Sequence, residues 1–235
     1  MKRIKNLKAS DGFTIIELLI ATAVLSTILL MVTVVMINIG HLYYKGINQS
    51  RIQDNVRAIT DDVSQHLKLG DNFFQVNNGS TYAYCIGDTR YTYLLYKQIG
   101  TNPGPPDYQS QHVLWRDTNP TPGSCPSVLL DLSTTLPSAN GTELAAPNSR
   151  LTSFSIIGSS PYNIVVGEAY GDNDLLCDTG TLNDCTTSYN ANSVIAKLIT
   201  GLLSSPTGNI YCRGSIGDQF CATSNLNTTV VSRLP

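Results

Sequence analysis

The sequence predicts an α+β chain in which a long N-terminal helix, membrane-spanning in its first half and amphipathic in its second, packs on an antiparallel β-sheet domain with long loops. Three observations predict it. Residues 18–37 hold no charge, proline or glycine; residues 52–67 repeat apolar side chains at spacings of four and three; and beyond Gly70 short apolar or aromatic runs are broken by Gly, Pro, Asn and Ser. Taken in order, they divide the 235 residues into a leader at 1–12, a membrane half-helix at 13–39, an amphipathic half-helix at 40–70 and a β-rich domain at 71–235.

The leader carries Lys2, Arg3, Lys5 and Lys8 against the single acid Asp11. Positive charge on the near side of an apolar segment keeps that end in the cytoplasm. Leu18 to Ile37, about 20 residues and roughly 30 Å as a helix, matches one hydrocarbon thickness. A secretory signal has a shorter apolar core followed by a small-x-small cleavage site, and Asn38-Ile39-Gly40 offers none, so the segment is expected to be retained. Ile52, Val56, Ile59, Val63 and Leu67 then line one stripe of a helix, with Arg51, Gln53, Asp54, Arg57, Asp61 and Asp62 off it. Gly70 after Lys68-Leu69 marks the helix stop.

Glu17 stands out, because a carboxylate inside an apolar run needs a partner or an interfacial position. Thr14-Ile15-Ile16-Glu17 fits a Thr-x-x-Glu capping box, which needs no function beyond starting the helix. The wider context Gly12-Phe13-Thr14-Ile15-Ile16-Glu17-Leu18-Leu19-Ile20, behind a basic leader, resembles the prepilin signal of type IV pilins and type II secretion pseudopilins. The resemblance implies a type IV pilin-like fold and a prepilin peptidase that cuts between Gly12 and Phe13 and methylates the Phe13 amine. It implies that Glu17 pairs with the amine of a neighbouring subunit and sets its stagger. The partners it implies are other pilin subunits, the pilus assembly platform and membrane lipid. The chain would sit in the cytoplasmic membrane as a single pass with its N-terminus inside, and reach the cell surface after assembly. Two departures from the family pattern are Asp11, where a basic residue is common, and the absence of proline from the membrane half of the helix.

In the outer domain the candidate strands are 73–77, 81–86, 90–99, 113–116, 128–132, 151–157, 162–169 and 229–232, rich in β-branched and aromatic residues. Residues 101–126, dense in proline and glycine, are expected to form a surface loop, and 194–203 reads equally as helix or strand. Tyr82, Tyr84, Tyr91, Tyr93 and Tyr96 suit sheet packing more than a binding face, and Trp115 suits the core.

All six cysteines follow residue 84 with no C-x-x-C spacing, which suits disulfides outside the cytoplasm. Cys177 with Cys185, and Cys212 with Cys221, are close pairs, leaving Cys85 for Cys125; this is one of many connectivities open to six cysteines. Asp172, Asp174 and Asp178 suggest a Ca²⁺ loop, but Leu176, Cys177 and Asn183 break the pattern, and a solvated loop held by side-chain to backbone turns fits better. No cofactor is expected.

A net charge of −2, a pI near 5.8 and 14% charged residues make no broad positive field, so nothing supports a nucleic-acid partner. None of His41, His66 and His112 sits in a nucleophile or metal motif, and the chain is not expected to be an enzyme. The expected role is a structural subunit, a minor pilin or pseudopilin. The alternatives are a membrane-anchored binding protein or adhesin that does not polymerise, and an anchored enzyme, for which no motif speaks.

Overall fold

The computed structural model describes residues 13–70, 72–79, 81–99, 109–121, 123–158, 160–171, 176–178, 210–212 and 220–232. Its one long helix, α1, runs Ile15–Leu69. The chain divides into two units, the first ending at Tyr43 and the second running from Tyr44.

In the first unit the helix is bare. Leu30 and Met31 are 68% and 70% exposed, and the other large apolar residues of this stretch resemble them. Its polar side chains turn inward on the backbone: the hydroxyls of Thr22, Ser26, Thr27 and Thr33 donate to the carbonyls of Leu19, Ala23, Val24 and Leu29. Such hydroxyls carry no unmet hydrogen bond into an apolar medium. The result is a helix long and apolar enough to cross a membrane.

In the second unit the rest of α1 buries the predicted stripe, Ile52, Val56, Ile59, Val63 and Leu67, each at 2% exposure or less. The stripe packs against two antiparallel-based sheets that share one core. The first sheet contains β1 (Phe73–Asn78), β2 (Thr81–Ile86) and β3 (Thr89–Leu94). The second begins with the short β4 (Gln98–Ile99) and β5 (Gln109–Ser110). The first sheet is completed by β6 (Leu114–Thr118) and β7 (Thr142–Glu143), in the order β1-β2-β3-β6-β7. The second adds β8 (Ser149–Ile157), β9 (Tyr162–Tyr170) and, after a two-stranded pair of β10 (Leu176–Asp178) and β11 (Ile210–Cys212), β12 (Ala222–Val230). Its order is β12-β9-β8-β4-β5, antiparallel except for β4 with β5.

The tyrosines of β2 and β3 lie in the core or pack against it. Tyr84, Tyr91 and Tyr93 are buried, Tyr93 stacks on Tyr82 and Tyr84 at 5.3 and 5.4 Å, and Phe154 of the other sheet meets Tyr93 edge-on at 4.9 Å. Offset and edge-on rings add to simple burial. Trp115 is buried too, its Nε1 donating to Ser138 Oγ at 2.9 Å. Gly141 is required there: a Cβ would lie 1.9 Å from Trp115 Nε1. Gly70, just past the end of α1, also has no room for a side chain, since a Cβ would meet His66 O and Ile86 Cγ2 at 2.8 Å.

Several expected elements are corrected. The single strand over 90–99 is two, because the chain leaves one sheet for the other at Leu95–Lys97. Tyr96 takes a φ of 63° to make the step, and its N–H is anchored on the Leu151 carbonyl at 2.8 Å. The 128–132 segment is no strand; Val128 is 79% exposed, while Leu132 is buried and its carbonyl accepts the His112 N–H and the Ser110 hydroxyl. The strand expected at 113–116 is β6, and the 101–126 loop holds in addition, at Gln109–Ser110, β5. Of the strand expected at 229–232 only Thr229 and Val230 are extended, as the last two residues of a nine-residue strand paired along its length with β9. The 194–203 segment lies outside the described residues.

Candidate functional site

The site suggested by sequence lies at the start of α1. Phe13 is 82% exposed, and Gly12 and the leader lie outside the described residues. Thr14 and Glu17 form the reciprocal box: Glu17 N–H donates to Thr14 Oγ1 at 3.3 Å, and Thr14 N–H donates back to Glu17 Oε2 at 3.1 Å. The Thr14 hydroxyl also donates to Oε2, at 3.0 Å. These bonds meet orphan donors of the first turn and put negative charge at the positive end of the helix dipole. The carboxylate stays exposed while doing so, so capping leaves it accessible to a cation arriving from outside the chain.

Of the cysteines, Cys85 at the core end of β2 is joined to Cys125, with Cα atoms 5.5 Å apart. Cys221 is disulfide-bonded and buried. Cys177 and Cys212 are placed by their backbones on β10 and β11, where Cys177 pairs with Tyr211; their side chains, and all of Cys185, lie outside the described residues. Asp172 and Asp174 lie outside them as well, as does the Asp178 side chain, and among the described residues no cluster of His, Cys, Asp and Glu is arranged to hold a metal.

Sequence reasoning passed over one buried acid and one partly buried acid. Glu168, on β9, is fully buried; its Oε1 accepts from Ala146 N at 2.9 Å and Ser149 Oγ at 2.7 Å, and its Oε2 from Asn55 Nδ2 at 2.7 Å. Burial pushes its pKa above the usual carboxylate value, and the three donors pull it partly back. Its signal was legible: Ile164, Val166 and Glu168 share one strand face, so an acid stands where the period calls for an apolar residue. Glu143 accepts from the N–H groups of Val113, Leu114 and Ala145 at 2.9–3.0 Å and from His112. Burial raises its pKa as well, against those bonds. Nothing in its local pattern announced it. The two carboxylates clamp the 143–149 segment against α1 and β6. That segment walls an open groove of about 720 Å³ whose other side is Ile47, Ser50, Arg51, Asp54, Asn55 and Ala58.

Two charged constellations also turn out to be architectural. Arg90 and Asp117, opposite each other on β3 and β6, form a buried bidentate pair with Nε to Oδ1 at 2.9 Å. Tyr91 donates to Asp62 Oδ2 at 2.8 Å, and Arg116 bonds the other oxygen of Asp62, tying α1 to β3 and β6. Burial, reinforced by Asp62, holds the Tyr91 hydroxyl far above its usual pKa.

Residues 7–33 match the family model described as the prokaryotic N-terminal methylation motif. No curated protein and no solved structure matches the chain significantly. Lys8 of the leader, Gly12, the capped acid and the bare apolar helix as far as Thr33 thus fall inside one recognised motif, and the chain carries a type IV pilin-like prepilin signal ahead of an α+β domain with the type IV pilin-like layout.

Proposed function

We propose that the chain is a structural subunit, a minor pilin or pseudopilin, of a type IV pilus or a type II secretion-like filament. A prepilin peptidase cuts between Gly12 and Phe13 and the new Phe13 amine is methylated. An α-amine has a pKa of about 8, and methylation keeps its charge. Glu17 of one subunit then pairs with the amine of another, neutralising two charges that are costly at membrane depth. The chain waits as a single pass in the cytoplasmic membrane with its N-terminus inside, then joins other pilin subunits at the assembly platform. The role is structural rather than catalytic. One observation carries the proposal: the methylation motif at residues 7–33 leads into a helix whose apolar side chains are uncovered, ahead of a domain whose own core is complete.

The Thr14–Glu17 box favours a second reading, an anchored binding protein that does not polymerise, because it accounts for Glu17 within one chain. Mass spectrometry of the N-terminus, on protein from membranes and from sheared surface filaments, separates the two. A chain beginning at methylated Phe13 in the sheared fraction is the expected result. A chain beginning at Met1 in cells with active prepilin peptidase would overturn it.

A further inference from the structure

His112, two residues ahead of β6, is gripped from both sides. Its Nε2 lies 3.2 Å from the Thr135 carbonyl oxygen, and its Nδ1 lies 3.2 Å from Glu143 Oε2. A carbonyl oxygen can only accept, so Nε2 carries a proton. A neutral imidazole would then turn a bare lone pair from Nδ1 toward the carboxylate, and two acceptors would face each other. The arrangement closes when one more proton lies between Nδ1 and Oε2, whichever of the two atoms holds it.

Glu143 is fixed in this position by the N–H groups of Val113, Leu114 and Ala145, which donate to its two oxygens at 2.9–3.0 Å. Burial raises its pKa against those bonds, which helps the pair to keep a proton. The other neighbours of the imidazole are the Trp115 ring, with centroids 4.4 Å apart, and the 131–138 segment that carries Thr135. The one charged side chain of that segment, Asp131, is turned onto the N–H and hydroxyl of Ser133 at 2.9 and 2.6 Å.

The segment lies across Trp115. Ser138 Oγ accepts the Trp115 Nε1–H at 2.9 Å, and the Leu132 carbonyl accepts the His112 backbone N–H at 3.0 Å. Neither bond involves a titrating group, whereas the one at Thr135 does. Once the extra proton leaves, the imidazole has one N–H for two acceptors. The anchored carboxylate makes the stronger bond, so the ring keeps Glu143 and gives up the Thr135 carbonyl.

We propose that His112, Glu143 and Thr135 form a proton-operated latch, which pins the 131–138 segment over Trp115 while the pair holds its extra proton and frees the segment as pH rises. The folded pair binds a proton that the separated groups of the unfolded chain give up more readily, so the latch is closed on the acid side and lost toward the alkaline side. It lies wholly in the outer domain and does not depend on the filament reading.

The test uses the full chain in detergent micelles. Nuclear magnetic resonance follows the imidazole nitrogens of His112, assigned through their contact with Trp115, together with the Glu143 carboxyl carbon, between about pH 5 and about pH 9. In the same samples, hydrogen exchange of the Trp115 indole N–H is measured relative to the urea-unfolded chain, so that the hydroxide catalysis common to both cancels. Trp115 is the one tryptophan, and its indole signal is therefore unambiguous. The expected result is an extra proton on the pair at the acid end, its loss as pH rises, and a fall of about tenfold in indole protection over the same interval, the order of one charged hydrogen bond. His112→Gln, which has no proton to titrate, should show a protection that no longer varies with pH. A neutral imidazole beside an ionised carboxylate at about pH 5 would overturn the shared proton, and the latch with it. Titration of the pair with indole protection unchanged overturns the latch, as does a pH-dependent fall that persists in His112→Gln. Should that variant fail to fold, the first two readouts on the unsubstituted chain decide.

Discussion

At the scale of single residues, Glu17 serves two roles that one substitution can separate. Glutamine can complete a capping box as glutamate does, but it has no charge to offer an amine. Glu17→Gln should therefore keep the helix start and the stability of the outer domain while losing filament incorporation, read by immunoblot of the sheared fraction. Normal incorporation would reduce Glu17 to a cap. Glu168 makes a different prediction. Its folded pKa is raised above the ordinary value of 4.5, so the folded state binds more protons than the unfolded state once pH exceeds that value. Stability should fall as pH rises from about 4.5 through the raised pKa. Glu168→Gln should flatten that slope in denaturant titrations across the acidic range, whatever its offset in absolute stability. Gly141→Ala forces a methyl to within 1.9 Å of Trp115 Nε1 and should cost about 1–3 kcal/mol by overpacking, measured by urea unfolding of the outer domain.

At the scale of elements, α1 was the most legible, since its first half is apolar on every side and its second half repeats apolar residues along one stripe. Ile59 on its buried stripe meets both sheets' core, and Ile59→Ala should cost about 2–5 kcal/mol in the same measurement. Strands β1, β2, β6, β8 and β9 were legible because apolar, β-branched and aromatic residues gather there between turn-forming residues. Two features hid the others. The run from Tyr91 to Ile99 reads as one strand because its three tyrosines, Thr92 and Ile99 favour extended backbone and no glycine or proline interrupts them. Its break is imposed by two separate sheets, each needing a length of it, and Tyr96 accepts a positive φ to serve both. In β12 the sequence Ala222-Thr-Ser-Asn-Leu-Asn-Thr-Thr-Val230 has few apolar residues; its strand character comes from pairing with β9, which no local signal encodes. The Cys85–Cys125 link ties the end of β2 to the segment after β6 across 40 residues. Its removal in the double variant Cys85→Ser/Cys125→Ser should lower stability by about 2–4 kcal/mol, chiefly by freeing the unfolded chain.

At the scale of the whole molecule, every member of the buried apolar core lies in the unit that starts at Tyr44, and none in the bare helix before it. A fragment of residues 44–235 should therefore fold without lipid or detergent and give a cooperative thermal transition, followed by circular dichroism; failure to fold would mean that the membrane half contributes to the core. By itself the sequence determined the membrane-competent helix, its amphipathic continuation, the prepilin-type start and the β-rich character of the outer domain. Each of these depends on interactions within a few residues: helical period, charge against apolarity, a cap three residues away. Only the tertiary structure decided where the strand run of 90–99 divides, that a polar segment forms β12, that the buried Glu168 and the partly buried Glu143 are clamps, and that Phe220 stands beside Tyr44. Those depend on contacts between residues tens to more than a hundred positions apart, where the identity of a side chain matters less than the partner the fold brings to it.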